Sequence, residues 1–170
     1  LIIYSKKYQL YENFINSKFN RISTKKKILI DFANGSAASS ISNINFFKNL
    51  DKKNFNYNFN NINLNCGSNF LKQTSKKKFN KKYDYILAFD GDADRIAIFK
   101  KNYGIIESEK IALIFARYLR KKKNNQIIST LIANPGLEKI LKQCDLNLIK
   151  TNVGDRNVTI LQEKKKAILG

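Results

Sequence analysis

Three of the eight aspartates in this 170-residue chain alternate within five positions, at Asp90, Asp92 and Asp94, and Arg95 follows them directly. Carboxylates this close repel one another, and a hard cation seated among them relieves the repulsion. A donor set made only of oxygen selects Mg²⁺ or Ca²⁺ rather than Zn²⁺. The reading that needs no ion is a solvated acidic turn. A calcium EF-hand beginning at Asp90 requires Gly at its sixth position and Glu at its twelfth, and the chain has Arg95 and Lys101 there. Arg95, beside a metal, is placed to hold a phosphate that the metal also polarises.

The residues leading into this loop, Tyr-Asp-Tyr-Ile-Leu-Ala-Phe at 83–89, read as a buried strand. The aspartates then sit at its carboxyl end, where open α/β sheets place their ligands. An aspartate-nucleophile phosphatase of the haloacid dehalogenase type also carries Asp-x-Asp after a strand. It calls for Thr or Val after the second aspartate, where this chain has Ala93.

The other elements follow from periodicity. Apolar residues at 4, 8, 11, 14, 15 and 19 predict a helix over Tyr4–Phe19. Residues 27–32 predict a strand, Ala33-Asn34-Gly35-Ser36 a turn, and Ile41, Ile44, Phe47 and Leu50 one face of a following helix. Alternation of Phe55, Tyr57 and Phe59 with asparagine predicts a half-buried strand over 54–60. Ser68 is expected to cap a helix reaching Phe79. Beyond the aspartates, 96–99 and 105–107 predict a hairpin turning at Asn102-Tyr103-Gly104. Ser108 is expected to cap a helix with Ile111, Ile114, Phe115 and Tyr118 facing inward. A strand over 126–133 leads to Asn134 and Pro135 opening a helix that buries Leu137, Ile140, Leu141 and Cys144. A strand at 146–150, a loop at 151–156, a short helix at 158–164 and the start of a strand at 167–169 complete the pattern. Alternating strands and helices predict α/β layers, in two successive domains over 1–104 and 105–170.

Composition narrows the function. The net charge of +19 raises nucleic-acid binding as an alternative. Yet lysine, asparagine and isoleucine make up 73 of the 170 residues. Their codons are rich in A and T, so base composition alone produces a basic surface. Arginine, which suits bidentate contacts to phosphate and guanine, occurs only five times. The lysine runs fall at element ends, as solvated faces do. No apolar run reaches membrane-spanning length. The two cysteines, Cys66 and Cys144, have no metal or disulfide spacing, which suits a reducing cytoplasm. The chain contains no methionine, which points to a piece of a longer protein. It carries no signature of an oligomeric state.

Four stretches, in order, resemble the α-D-phosphohexomutase family. Asp90-Gly91-Asp92-Ala93-Asp94-Arg95 resembles its metal loop. Asp31-Phe32-Ala33-Asn34-Gly35-Ser36 resembles the turn opening the family's second domain, and Cys66-Gly67-Ser68 a later loop of that domain. Val153-Gly154-Asp155-Arg156-Asn157-Val158 resembles a loop of the third domain, in the form typical of the phosphoglucosamine mutase branch. The resemblance implies two three-layer α/β/α domains: the second, carrying the metal loop, and the first part of the third. It implies Mg²⁺ held by Asp90, Asp92 and Asp94, Arg95 beside a phosphoserine phosphate, and Gly154, Asp155 and Arg156 against a hexosamine phosphate substrate. It implies isomerisation of glucosamine 6-phosphate to glucosamine 1-phosphate, with sister mutases of glucose or mannose phosphates as the alternative. The family's serine loop, Thr-Ala-Ser-His-Asn-Pro, has no counterpart; Ala38-Ser39-Ser40-Ile41 is a faint echo without His, Asn or Pro.

Overall fold

In a computed structural model, residues 2–19, 24–41, 44–55, 60–75, 82–120 and 124–170 are described. The chain divides into two compact units, Leu1–Ile106 and Glu107–Gly170.

The first unit is built on a five-stranded mixed sheet. Its strands are β1 (Ile28–Asp31), β2 (Asp51–Lys53), β3 (Tyr85–Phe89), β4 (Ile96–Lys100) and β5 (Gly104–Ile106), in the order β2-β1-β3-β4-β5. β1 runs parallel to both β2 and β3, and β4 and β5 are antiparallel additions on the β3 edge. The chain leaves β1 toward β2 on one side and returns to β3 on the other. The seam between β1 and β3 is therefore the switch point of the sheet, and the crevice beyond the carboxyl ends of these strands is where such sheets bind ligands.

Alternation along the strands divides the core. Ile30, Leu87 and Phe89 pack with Phe32, Ala37, Ala38, Ile41, Phe47 and Leu50 on one face, while Leu29, Ile86, Ala88 and Phe99 pack with Leu71 and Tyr83 on the other. The helices are α1 (Ile2–Phe19), α2 (Ala37–Ser40), α3 (Asn45–Lys48) and α4 (Leu71–Ser75), the last entered through a 3₁₀ turn at Ser68–Phe70. Sheet and flanking helices form the α/β layering expected from the sequence.

Two local expectations in this unit are corrected. The single helix expected through Ile41–Leu50 is two short turns, α2 and α3. Ser39 and Ser40 direct their hydroxyls to the Ser36 carbonyl, and Ile44 is extended before α3. Ile44 is nevertheless buried, and Ile41, Phe47 and Leu50 pack inward. β2 lies at Asp51–Lys53 and ends where Asn54 takes a φ of 50°; the strand expected over 54–60 falls mainly on residues 56–59, which lie outside those described. Ser68 is not a side-chain cap: Gly67 precedes the helical turn with a φ of 75°, and the buried Ser68 hydroxyl makes no hydrogen bond.

The second unit pairs β6 (Gln126–Thr130) with β7 (Asn147–Thr151) in parallel, and the chain returns beside β6 at Leu169. The helices are α5 (Ser108–Leu119), α6 (Pro135–Gln143) and α7 (Asp155–Lys165). Ala116, Ile127, Leu137, Leu141, Leu146 and Leu148 form the core, with Leu113, Cys144, Ile168 and Leu169 against it. Asn134 caps α6 as expected, its side chain accepting from Gly136 N at 2.8 Å with Pro135 in the first turn.

Here too the structure corrects the pattern. Ser108 is the first residue of α5, not its side-chain cap, because extended Glu107 occupies the cap position without a side-chain bond. The buried side of α5 is the one carrying Leu113 and Ala116, while Ile114, Phe115 and Tyr118 are exposed. Small Ala116 permits close packing that the bulkier residues on the other side do not. Ile140 is 43% exposed, whereas its neighbour Leu141 fills the core. β6 ends at Thr130, leaving Leu131 and Ile132 exposed in the turn before Asn134. α7 begins at Asp155, three residues before the expected Val158, since Asn157 N and Val158 N already donate to the Gly154 carbonyl.

Candidate functional site

Asp90 is the first residue beyond β3, and it is fully buried. The chain reverses within the next five residues to enter β4, with Phe89 paired to Ile96 across the turn. Asp90 N donates to the Arg95 carbonyl at 3.3 Å, Ala93 N donates to the Asp90 carbonyl at 3.2 Å, and Ala93 adopts a φ of 65°. This tight reversal makes the alternating aspartates converge. One carboxylate oxygen from each of Asp90, Asp92 and Asp94 lies within 4.8 Å of the other two, with Asp90 at the base and the other two exposed. The donor set is all oxygen and triply anionic, so its chemistry fits Mg²⁺, with further coordination positions left to water or phosphate oxygens.

Arg95 is the internal counterion of this cluster. Its backbone N–H donates to Asp90 Oδ1 at 3.0 Å, its Nε to Asp90 Oδ2 at 2.6 Å, and its Nε lies 3.5 Å from Asp94 Oδ1. Burial pushes the Asp90 carboxyl up, but the backbone and guanidinium hydrogen bonds of Arg95 outweigh it and hold the group below the ordinary carboxylate range. A hydrogen bond to Asp90 is the main cause that raises Asp94, with burial and the nearby Asp92 charge adding to it. The guanidinium itself is raised, chiefly through its bond to Asp90. The buried carboxylate is thus the fixed anion and Asp94 the more readily protonated one. Sequence reasoning expected Arg95 against a phosphate; in the structure its Nε is directed back at Asp90 and the side chain remains largely open.

The loop is seated on backbone. Ser36 N donates to the Gly91 carbonyl at 2.9 Å, and a Cβ placed on Gly35 would lie 2.3 Å from that oxygen. A Cβ on Gly67 would lie 2.5 Å from the Phe89 carbonyl, and one on Gly91 would meet Ile62 Cγ2 at 2.4 Å. Three glycines therefore let three chain segments stack without side chains between them. Asn63 N donates to the Ala33 carbonyl at 2.9 Å and ties the 60–65 stretch to the same stack. Cys66 lies buried here; burial first, then the Asp31 charge, push its thiol up, which marks a protonated, unreactive cysteine.

Among the residues named from the sequence, Asp90, Asp92, Asp94 and Arg95 converge in one loop of the first unit. Gly154, Asp155 and Arg156 belong to the second unit. There Gly154 has a φ of 124°, Asp155 stands in the first turn of α7 with its Oδ1 accepting from Arg156 N at 2.7 Å, and Asn157 Nδ2 donates to the Val153 carbonyl. An acidic residue at that end of a helix complements the helix dipole. Sequence reasoning gave no role to Asp31, the buried carboxylate one strand away from Asp90. Its signals are an aspartate ending an otherwise apolar strand, Ile28-Leu29-Ile30-Asp31, and its place at the start of the family-like 31–36 stretch. Among the described residues, no helix is long and apolar enough to cross a membrane.

Residues 107–170 match the family model described as phosphoglucomutase/phosphomannomutase, alpha/beta/alpha domain III. Phosphoglucosamine mutase of Dictyoglomus turgidum is 36% identical over 156 residues, covering 87% of this chain and 34% of that protein. Phosphoglucosamine mutase of Fusobacterium nucleatum is 33% identical over 170 residues, covering 96% of this chain and 37% of that protein. The chain thus spans about a third of the length of the curated relatives it matches. Among solved structures, the apo form of an N-acetylglucosamine-phosphate mutase superposes with a TM-score of 0.72 at 23% identity, over 91% of this chain and 40% of that one. The Aspergillus fumigatus N-acetylphosphoglucosamine mutase, solved in complex with GlcNAc-6P and magnesium, superposes with a TM-score of 0.71 at 22% identity, over 92% of this chain and 37% of that one. The chain belongs to the phosphoglucomutase/phosphomannomutase, or α-D-phosphohexomutase, family.

Proposed function

We propose that this chain supplies the metal loop and part of the sugar-binding surface of a phosphoglucosamine mutase, an isomerase that interconverts glucosamine 6-phosphate and glucosamine 1-phosphate. The observation that carries this reading is the convergence of Asp90, Asp92 and Asp94 at the carboxyl end of β3, in a chain 36% identical to phosphoglucosamine mutases. In this reading residues 1–104 are the second domain of the enzyme and 105–170 belong to the third. A phosphoserine elsewhere in the enzyme gives its phosphoryl group to the sugar, and the resulting bisphosphate turns over and returns the other one.

Phosphoryl transfer depends on positioning and charge neutralisation more than on covalent work by the protein. Mg²⁺, held by Asp90, Asp92 and Asp94, supplies that neutralisation when bound. Asp90 is the rigid ligand, fixed by the two bonds from Arg95, while exposed Asp92 and Asp94 are free to adjust. Arg95 keeps an open guanidinium beside the cluster, where it orients a phosphate through its remaining N–H donors. Gly154, Asp155 and Arg156 contribute contacts to the phosphosugar; the glycine lets the backbone turn ahead of α7, and Arg156 offers a planar fork of donors. The relative solved with GlcNAc-6P and magnesium supports both the substrate class and the ion. A reducing cytoplasm suits the two free thiols.

In the protein that carries this chain, Asp92→Ala abolishes Mg²⁺-dependent formation of glucosamine 1-phosphate. Undiminished turnover by that variant overturns the metal assignment. Faster turnover of mannose or glucose 6-phosphate than of glucosamine 6-phosphate moves the reading to a sister mutase. The 170 residues by themselves show no turnover, since they hold no serine in the family's Thr-Ala-Ser-His-Asn-Pro context.

A further inference from the structure

Asp31 ends β1, in the strand beside the one that delivers Asp90, and its carboxylate is completely buried. We propose that Asp31 is a positioning residue whose two oxygens each hold one of two backbone jaws gripping the residues on either side of Asp90. Oδ1 accepts from Ala33 N at 3.0 Å and so fixes the 33–36 turn. That turn reaches the metal loop at Gly91, through the Ser36 N bond to the Gly91 carbonyl and the close approach of Gly35. Oδ2 accepts from Gly67 N at 3.0 Å, and Gly67 abuts the Phe89 carbonyl. Phe89 and Gly91 are the immediate neighbours of Asp90. Lys53 Nζ at 3.0 Å from Oδ2 and Asn54 Nδ2 at 2.8 Å from Oδ1 hold the same carboxylate. A charge held at full burial is retained only when paired and hydrogen-bonded on all sides. Here two of these four partners are the backbone that shapes the site.

The expected effect on metal affinity rests on Asp90, Asp92 and Asp94 being ligands, whereas the effect on loop shape does not. Asp31→Asn preserves the side-chain outline but turns one acceptor into an amide donor, so only one jaw keeps its bond. In amide hydrogen exchange of the 170-residue chain, this variant speeds exchange at Arg95 and in the jaw that loses its bond, read at Ser36 for one and at Gly67 for the other, by about fivefold to tenfold, the factor set by one lost hydrogen bond. The β3–β4 ladder keeps its unsubstituted rates. Uniform acceleration across the ladder, or none at either Ser36 or Gly67, overturns the proposal. Should Asp31→Asn fail to fold, Gly35→Ala pushes one jaw off Gly91 with Asp31 intact and gives the same local pattern, and unsubstituted rates at Ser36 overturn the proposal. With Mn²⁺ as probe, affinity falls about 10–100-fold in Asp31→Asn, as for other groups that orient metal ligands. Unchanged affinity overturns the proposal. Failure of the unsubstituted chain to take up Mn²⁺ overturns the metal reading instead, and the exchange rates then decide the role of Asp31.

Discussion

Arg95 Nε lies 2.6 Å from Asp90 Oδ2, so the buried carboxylate at the base of the cluster is neutralised by the residue that closes the same loop. The pair gives the buried aspartate a positively charged partner from within its own loop. It also makes Arg95 and a divalent ion two sources of the same neutralisation. Arg95→Ala therefore destabilises the first unit, because it leaves the buried Asp90 carboxylate without its charged partner. Saturating Mg²⁺ recovers more stability in this variant than in the unsubstituted chain, because the ion supplies the lost charge. Thermal unfolding with and without Mg²⁺ measures both effects; equal Mg²⁺ shifts in the two proteins contradict the substitution.

Acid dependence follows from carboxylates away from the site. Asp51 is held below the ordinary range, first by the hydrogen bond from Tyr83 Oη at 2.6 Å and then by Lys82. Glu138 is held down by its hydrogen bonds to Lys142 and then Lys150. For a carboxyl whose folded pKa is depressed, the contribution is complete above its unfolded pKa and drains away as pH falls through the folded one. Both groups thus favour folding at neutral pH and cease to do so in acid, below about pH 4. Tyr83→Phe returns Asp51 toward its ordinary value and flattens the acid limb of stability against pH, while leaving the form of the limb near neutrality unchanged. Urea unfolding between pH 2 and pH 7, a range of about five units around the carboxylate values, reads this out. An acid limb as steep as that of the unsubstituted chain contradicts it.

The orientation of α5 gives a packing prediction. Ala116→Leu inserts bulk where the helix meets the core and costs about 1–3 kcal/mol. Tyr118→Ser, on the exposed side, changes stability by no more than about 0.5 kcal/mol. Chemical unfolding of the two variants decides between this arrangement and the one expected from side-chain size.

The sequence made the site more legible than its support. Alternating aspartates after an apolar run are a local signal, and Asp90, Asp92 and Asp94 meet as their spacing suggests. The strands β1, β3 and β4 are likewise marked by compact apolar runs. What escaped was tertiary. Gly35, Gly67 and Gly91 matter because three segments far apart in sequence stack on one another, which no periodicity records. Asp31 is visible in the sequence as the polar end of an apolar strand and the start of the 31–36 stretch, but its partners Lys53, Asn54 and Gly67 come from distant segments that no local pattern links to it. On α5, the larger residues suggested the buried side, yet close packing selected Leu113 and Ala116. Asn54, whose tolerance of positive φ ends β2, is marked by its residue type and by no period.

The most direct measurement is titration of the 170-residue chain with Mn²⁺ followed by electron paramagnetic resonance, with Mg²⁺ as competitor. The predicted result is one saturable site displaced by Mg²⁺, weakened by at least about tenfold in Asp92→Asn and lost in the Asp90, Asp92 and Asp94 triple asparagine variant. Equal Mn²⁺ uptake by the triple variant, or no saturable uptake by the unsubstituted chain, contradicts the assignment of these three aspartates as the metal site.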